Sequence, residues 1–234
     1  MPLHGKVIVV TGASRGIGAT IARALVGEGA VVVGTARSAA PPPAKIDTTV
    51  PALHLAPLDV TAEASVRDFF AWTDTGIGRI DALVNNAGVG VWKPLHETTL
   101  DEWNAIVATN LTGVFLCMRE VIPRMIACGG GRIVNIGSIA GTIPIAENGA
   151  YGASKYGVRG LTEIVNEEYK QRGVRASLIS LGAVVTEMWS ERAGFDRRDM
   201  LTPDDVAATV IDIVSRPLHV RVDEVRLYPA KGVL

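Results

Sequence analysis

Residues 11–18 read TGASRGIG, with Gly12, Gly16 and Gly18 in a G-x3-G-x-G spacing directly after the apolar run VIVV. Glycine admits backbone angles closed to other residues and lets the chain pass close to a ligand. A helix opening after such a turn presents unpaired N–H groups and the positive end of its dipole. A strand, a glycine turn and a helix in that order predict a cradle for a pyrophosphate.

Outward from this turn, short β-branched runs alternate with longer helical patterns. KVIVVT precedes GIGATIARALVGEG, then come AVVVGTA, LHLAPLDV with TAEASVRDFFAWTD, and IDALVNNAG. The alternation predicts a parallel sheet covered by helices. One long helix is expected from about 100 to 128 and another from about 151 to 172. GRIVNIGS, VRASLIS and DEVRLYP supply later strands, and a last helix starts near Pro203. Between Arg37 and Leu53 four prolines, Pro41, Pro42, Pro43 and Pro51, remove donors and fix φ, so an extended loop is expected in place of a crossover helix. With no repeat and no linker, 1–234 is read as one dinucleotide-binding catalytic domain.

At 234 residues and 48% hydrophobic the chain is long and apolar enough for a single large core. Its net charge of -1, without a run of Lys or Arg, argues against nucleic acid or an anionic membrane as partner. The start lacks the apolar core of a secretory signal, and no apolar run approaches the ~20 residues that span a bilayer, so a cytoplasmic protein is expected. Cys117 and Cys128 stand too far apart along a helix for a disulfide, and four scattered histidines do not suggest a metal site.

The second strand ends GTARS. Many dinucleotide folds place an acid there for the ribose 2′-hydroxyl, but here Ala36 and Arg37 occupy the position, and Arg15 lies inside the glycine turn. Guanidinium groups suit a 2′-phosphate, so NADP(H) is favoured over NAD(H). Asp59 ends the third strand, where it can meet an adenine or cap the helix that follows.

Residues 151–155 read YGASK and place Tyr151 and Lys155 on one helical face. TGASRGIG, NNAG (85–88), Asn110 in TNLTG, Ser138 in NIGSIAG and YGASK together resemble the short-chain dehydrogenase/reductase family, in its order and spacing over essentially the whole chain. The resemblance implies a Rossmann-type sheet of seven parallel strands in the order 3-2-1-4-5-6-7. It implies catalysis by Asn110, Ser138, Tyr151 and Lys155: Tyr151 as general acid, Ser138 holding the substrate oxygen, Lys155 binding the nicotinamide ribose and lowering the tyrosine pKa, and Asn110 supporting a proton-relay water. The cofactor set it implies is Gly12, Ser14, Arg15, Gly16, Ile17, Gly18, Arg37, Asp59, Val60, Asn86, Ala87, Gly88, Tyr151, Lys155, Gly182, Val184 and Thr186, with no metal.

Tyrosine titrates near ~10, so ionisation at neutral pH needs about 4 kcal/mol, of which a lysine charge at roughly 5 Å supplies on the order of 3 kcal/mol. The expected reaction interconverts a ketone or aldehyde with an alcohol. A 3-oxoacyl thioester reductase is the alternative in the same chemistry, and a non-catalytic NADP-binding redox sensor is the alternative from another class. Leu181 stands where the family often has proline, which leaves the rigidity of the following loop open. A substrate lid is expected over about 187–200, with Met188, Trp189 and Phe195. These residues, together with Val89, Trp92, Ile139 and Asn148, either line an apolar pocket or pack the core. Glu147 screens anionic substrates if it faces the mouth. By the same resemblance the long fourth and fifth helices pair between subunits, giving a homodimer or homotetramer.

Overall fold

The computed structural model describes residues 2–186 and 196–232. Strands β1 (Val7–Val10), β2 (Val31–Ala36), β3 (Leu53–Pro57), β4 (Ala82–Asn85), β5 (Gly131–Ile136), β6 (Val174–Leu181) and β7 (Glu224–Leu227) form one sheet in the order β3-β2-β1-β4-β5-β6-β7. Every pair is parallel. Buried on both faces, the central strands are uninterrupted apolar runs; all four residues of VIVV in β1 are buried. The expected architecture, one α/β domain, is what these residues build.

Helices α1 (Gly16–Gly27) and α6 (Pro203–Ser215) pack on one face of the sheet, around Ile21, Leu25, Val206 and Val210. On the other face lie α2 (Glu63–Gly76), α4 (Gly113–Ala127) and α5 (Gly149–Tyr169), contributing Phe70, Val121, Met125 and Val158. The chain leaves β1 toward β2 and β3 and returns to β4 on the other side. That reversal opens a crevice at the carboxyl ends of β1 and β4, where open sheets of this kind bind ligands.

Between β2 and β3 there is no helix. The proline segment runs extended and is held against α2, where Trp72 Nε1 donates to Pro43 O at 3.3 Å and Ile46 N donates to Gly76 O at 2.9 Å. The long helix expected over 100–128 is instead three pieces: α3 (Leu100–Val107), a π-turn (Ala108–Thr112) and α4. As a whole, Leu100–Ala127 is long and apolar enough to cross a bilayer, which corrects the expectation that no such stretch exists. Half of its apolar window is buried inside the domain, and Arg124 pairs with Asp74 and Glu120. Cys117 is buried and Cys128 exposed, both as free thiols.

One buried charge ties the far edge of the sheet together. Arg132 of β5, 2% exposed, donates to the carbonyls of Arg216, Pro217 and Val220 at 2.6–2.9 Å. Arg216 caps the carboxyl end of α6, so the guanidinium meets the negative end of that helix.

Candidate active site

The glycine turn has the conformation its sequence requires. Gly12 and Gly16 hold φ of 67° and 56°, angles that favour glycine. Gly18 is required for space. A Cβ there would lie 2.3 Å from Gly12 O and 2.4 Å from Asn86 Nδ2, so no side chain fits between α1 and the turn. The side chain of Arg15, at the N-cap of α1, does not cap the helix, and the first turn carries no acid, which leaves the helix's N–H groups and positive dipole end for an anion.

NNAG clamps this turn from the neighbouring strand. Asn86 Nδ2 donates to Thr11 O at 2.9 Å and Gly12 O at 3.1 Å, while Thr11 Oγ1 accepts from the N–H groups of Asn86 and Ala87. Ser14, Arg15 and Gly16 are exposed at the lip, and Ile17 is half-buried. The donor set and the side-chain-free cradle fit a dinucleotide's pyrophosphate.

At the adenosine end, Arg37 is exposed just beyond β2. Of the two readings left open for Asp59, the structure bears on the helix cap. Asp59 Oδ1 accepts from the N–H and hydroxyl of Thr61 at 2.9 and 2.7 Å, so it closes the turn ahead of α2 and is not the helix cap, which is Ala62. These bonds, the larger cause, and the nearby Arg37 charge hold its carboxyl below the usual range. Val60 is buried against Gly113, where a Cβ would come within 2.9 Å of Val60 Cγ2.

The four catalytic candidates come to the carboxyl edge from three elements. Ser138 follows β5, and its Oγ accepts from Ala140 N at 3.1 Å, which leaves its O–H to donate. The Tyr151 phenol lies beside it, close enough for the hydroxyl to pull the phenol's pKa down. Lys155 is 6% exposed; its Nζ donates to Ile136 O at 2.8 Å and lies 5.5 Å from the Tyr151 ring centre.

Asn110 sits in the π-turn, fully buried. Its Oδ1 accepts from Val89 N and its Nδ2 donates to Val89 O, both at 2.8 Å. Nδ2 also reaches Ser154 Oγ at 3.2 Å, whose hydroxyl donates to Tyr151 O at 2.7 Å. Ser154 was missed in the sequence although it lies inside YGASK. Its spacing of three from Tyr151 was the available signal.

Among the protein's own groups burial dominates: it pushes Tyr151 above its ordinary pKa, with the Ser138 hydroxyl pulling the other way. Burial also pushes Lys155 down to about 8. Both groups are buried, and among the described residues no carboxylate pairs with the lysine, so desolvation dominates both shifts.

The segment after β6 is firmly held despite Leu181. That residue continues β6 in register with Leu227, and Gly182 N donates to Leu227 O at 2.8 Å. Val185 N donates to Leu201 O, and Leu201 N to Ala183 O, both at 2.9 Å, so Val184 is buried beside Leu201. Thr186 follows, half-buried. Met188, Trp189 and Phe195 lie outside the described residues.

Of the other pocket candidates, Val89 is 41% exposed at the rim, Ile139 is buried, and the Trp92 ring stands 6.1 Å from that of Tyr151. Glu147 is exposed at φ 62°. Asn148 is buried beside it.

The chain is similar to several known proteins. The family model for short chain dehydrogenases matches residues 6–195. The D-threitol dehydrogenase of Mycolicibacterium smegmatis is 37% identical over 226 residues, covering 91% of this chain and 87% of its own. A 3-oxoacyl-acyl-carrier-protein reductase of Vibrio harveyi is 39% identical over 188 residues, 80% of this chain and 77% of its own. A metagenomic short-chain oxidoreductase solved in complex with NADP superposes with a TM-score of 0.81 at 36% identity, over 98% of this chain and 99% of that one.

Proposed function

The chain belongs to the short-chain dehydrogenase/reductase family, and from that premise we propose an NADP(H)-dependent oxidoreductase that interconverts a ketone or aldehyde with an alcohol. The observation that carries the reading is the Tyr151 phenol beside the Ser138 hydroxyl, with the Lys155 ammonium 5.5 Å from its ring. A pure binding site has no need of that acid, which argues against a redox sensor.

When bound in the glycine cradle, the nicotinamide cofactor supplies or accepts the hydride. The protein's own residues handle the proton and the oxygen. In reduction, Ser138 donates to the substrate oxygen through the O–H that Ala140 leaves free, and Tyr151 gives that oxygen its proton. With a pKa of about 8, Lys155 is mostly charged at neutral pH, and its ammonium, 5.5 Å from the centre of the Tyr151 ring, favours the phenolate left behind. Asn110 positions the site by bracketing Val89 and, through Ser154, the backbone of Tyr151.

Arg15 and Arg37, with no acid at the end of β2, support NADP(H) over NAD(H). The fit to the bacterial 3-oxoacyl reductase keeps a carrier-bound acyl substrate as the second reading. The exposed apolar residues Phe115 on α4 and Tyr156 and Ile164 on α5 support a homodimer or homotetramer paired through these helices. A small carbonyl or alcohol is the proposed partner, and the free thiols fit the cytoplasm.

The test is NADPH and NADH oxidation over a panel of ketones, aldehydes and 3-oxoacyl thioesters, with the wild type and Tyr151→Phe. Turnover that prefers NADPH and falls on the order of 10³-fold in the variant, with NADPH binding retained, is the expected result. Undiminished turnover in Tyr151→Phe would remove the phenol from the mechanism.

A further inference from the structure

The chain leaving β4 passes across the site in three steps. Asn86 clamps the glycine turn through its amide bonds to Thr11 O and Gly12 O. A Cβ at Gly88 would stand 3.4 Å from Asn110 Oδ1 and 4.0 Å from Lys155 Nζ. At Gly90 a Cβ would press on two rings, 3.2 Å from Trp92 Cη2 and 3.3 Å from Tyr151 Cδ2. The run therefore goes from the cofactor cradle, past the lysine, to the phenol, and Trp92 borders the end of the site remote from the cradle.

The indole is held in that place. Its ring centre lies 6.1 Å from that of Tyr151, with 33° between the planes. The next residue is tied on two sides: Lys93 N donates to Glu147 O at 2.9 Å, and Lys93 Nζ donates to the Glu102 carboxylate at 2.7 and 3.0 Å. The Trp92 side chain is only half-buried, so part of it is open to a ligand, and Val89 on the same run is 41% exposed. An accessible aromatic ring fixed beside a proton donor is a surface for stacking, and it has little freedom left to lose when a ligand binds.

We propose that Trp92 is a specificity-determining residue whose indole stacks against a planar ring carried by the substrate near its reacting carbonyl, so that aryl-substituted ketones and the corresponding alcohols are preferred. The inference rests on the carbonyl/alcohol reading above. A carbonyl whose oxygen meets the phenol leaves its substituents in the space beyond, which the indole borders. Gly90 makes room for this, since any side chain there would push the two rings apart.

The test compares two ketones of one skeleton, 4-phenyl-2-butanone and 4-cyclohexyl-2-butanone, in wild type, Trp92→Leu and Trp92→Phe. Folding is checked by thermal melting and NADPH binding by the cofactor's own fluorescence. The readout is the ratio of kcat/KM for the phenyl over the cyclohexyl ketone, because neither ring is conjugated to the carbonyl and their reactivities cancel. A wild-type ratio well above unity that falls ~3–10-fold in Trp92→Leu is expected, the size of a lost aromatic pair. Trp92→Phe keeps a ring in place and holds the ratio within about 2-fold of wild type. A wild-type ratio near unity overturns the proposal, as does a ratio unmoved by Trp92→Leu, the outcome if the indole only packs the loop, or one lost equally in a folded Trp92→Phe. A wild type that reduces other carbonyls on the broader panel but neither of these ketones overturns it as well. In each of those cases the oxidoreductase reading survives. A wild type that binds NADPH but reduces no carbonyl at all overturns that reading, and the assignment of Trp92 with it.

Discussion

Replacing Lys155 by Met tests the electrostatics of the site without any knowledge of the substrate. Burial lowers this lysine from 10.5 to about 8, a difference equivalent to ~3 kcal/mol. Below pH 8 the folded and unfolded chains both hold the proton, and the folded state carries the whole desolvation penalty. Between pH 8 and 10.5 the folded chain has released its proton and the unfolded chain has not, so the penalty shrinks as pH rises. From pH 7 to pH 9 the wild type should recover about 1 kcal/mol of stability that Lys155→Met, lacking the group, does not. Tyr151 stays neutral over this range because burial holds it above its ordinary pKa. Urea denaturation of both proteins at pH 7 and 9 reads the effect as a double difference, in which packing changes and the lost bond to Ile136 O cancel. A stability gap that is the same at both pH values, or a wild type that loses ground at pH 9, would refute the claim that Lys155 is held by desolvation.

Arg37→Ala should lower kcat/KM for NADPH by ~10–100-fold and leave NADH nearly untouched, since a bond between charged groups contributes ~1.5–3 kcal/mol; equal losses for both cofactors would count against a 2′-phosphate contact. Gly18→Ala drives a methyl into Gly12 O, so fluorescence titration should find NADPH binding lost, and an unchanged Kd would refute the tight-packing argument. Arg132→Met strips three carbonyls of their donor and should cost roughly 2–4 kcal/mol, a fall in Tm of about 6–12 °C. An unshifted Tm would show that the buried guanidinium does not hold α6 in place.

What the sequence determined by itself was whatever local chemistry dictates. Apolar runs long enough to be buried on both faces, separated by helical patterns, leave a parallel sheet as the solution, and VIVV followed by TGASRGIG puts its ligand crevice after β1. Four prolines were enough to exclude a helix between β2 and β3, because each removes a donor wherever it stands. Tyr151 and Lys155 were legible as a pair because helical spacing alone sets them on one face.

Tertiary structure decided what depends on neighbours remote in the chain. Sequence could not tell that Gly18 is dictated by the Asn86 amide, or that Asn110 grips the backbone of Val89 through a π-turn set in what reads as continuous helix. It could not weigh the balance at Tyr151, because proximity of charge follows from spacing, whereas desolvation depends on every group packed around the pair. The approach of Trp92 to Tyr151 belongs to the same class: two rings far apart in the chain meet only when the sheet and its loops are in place.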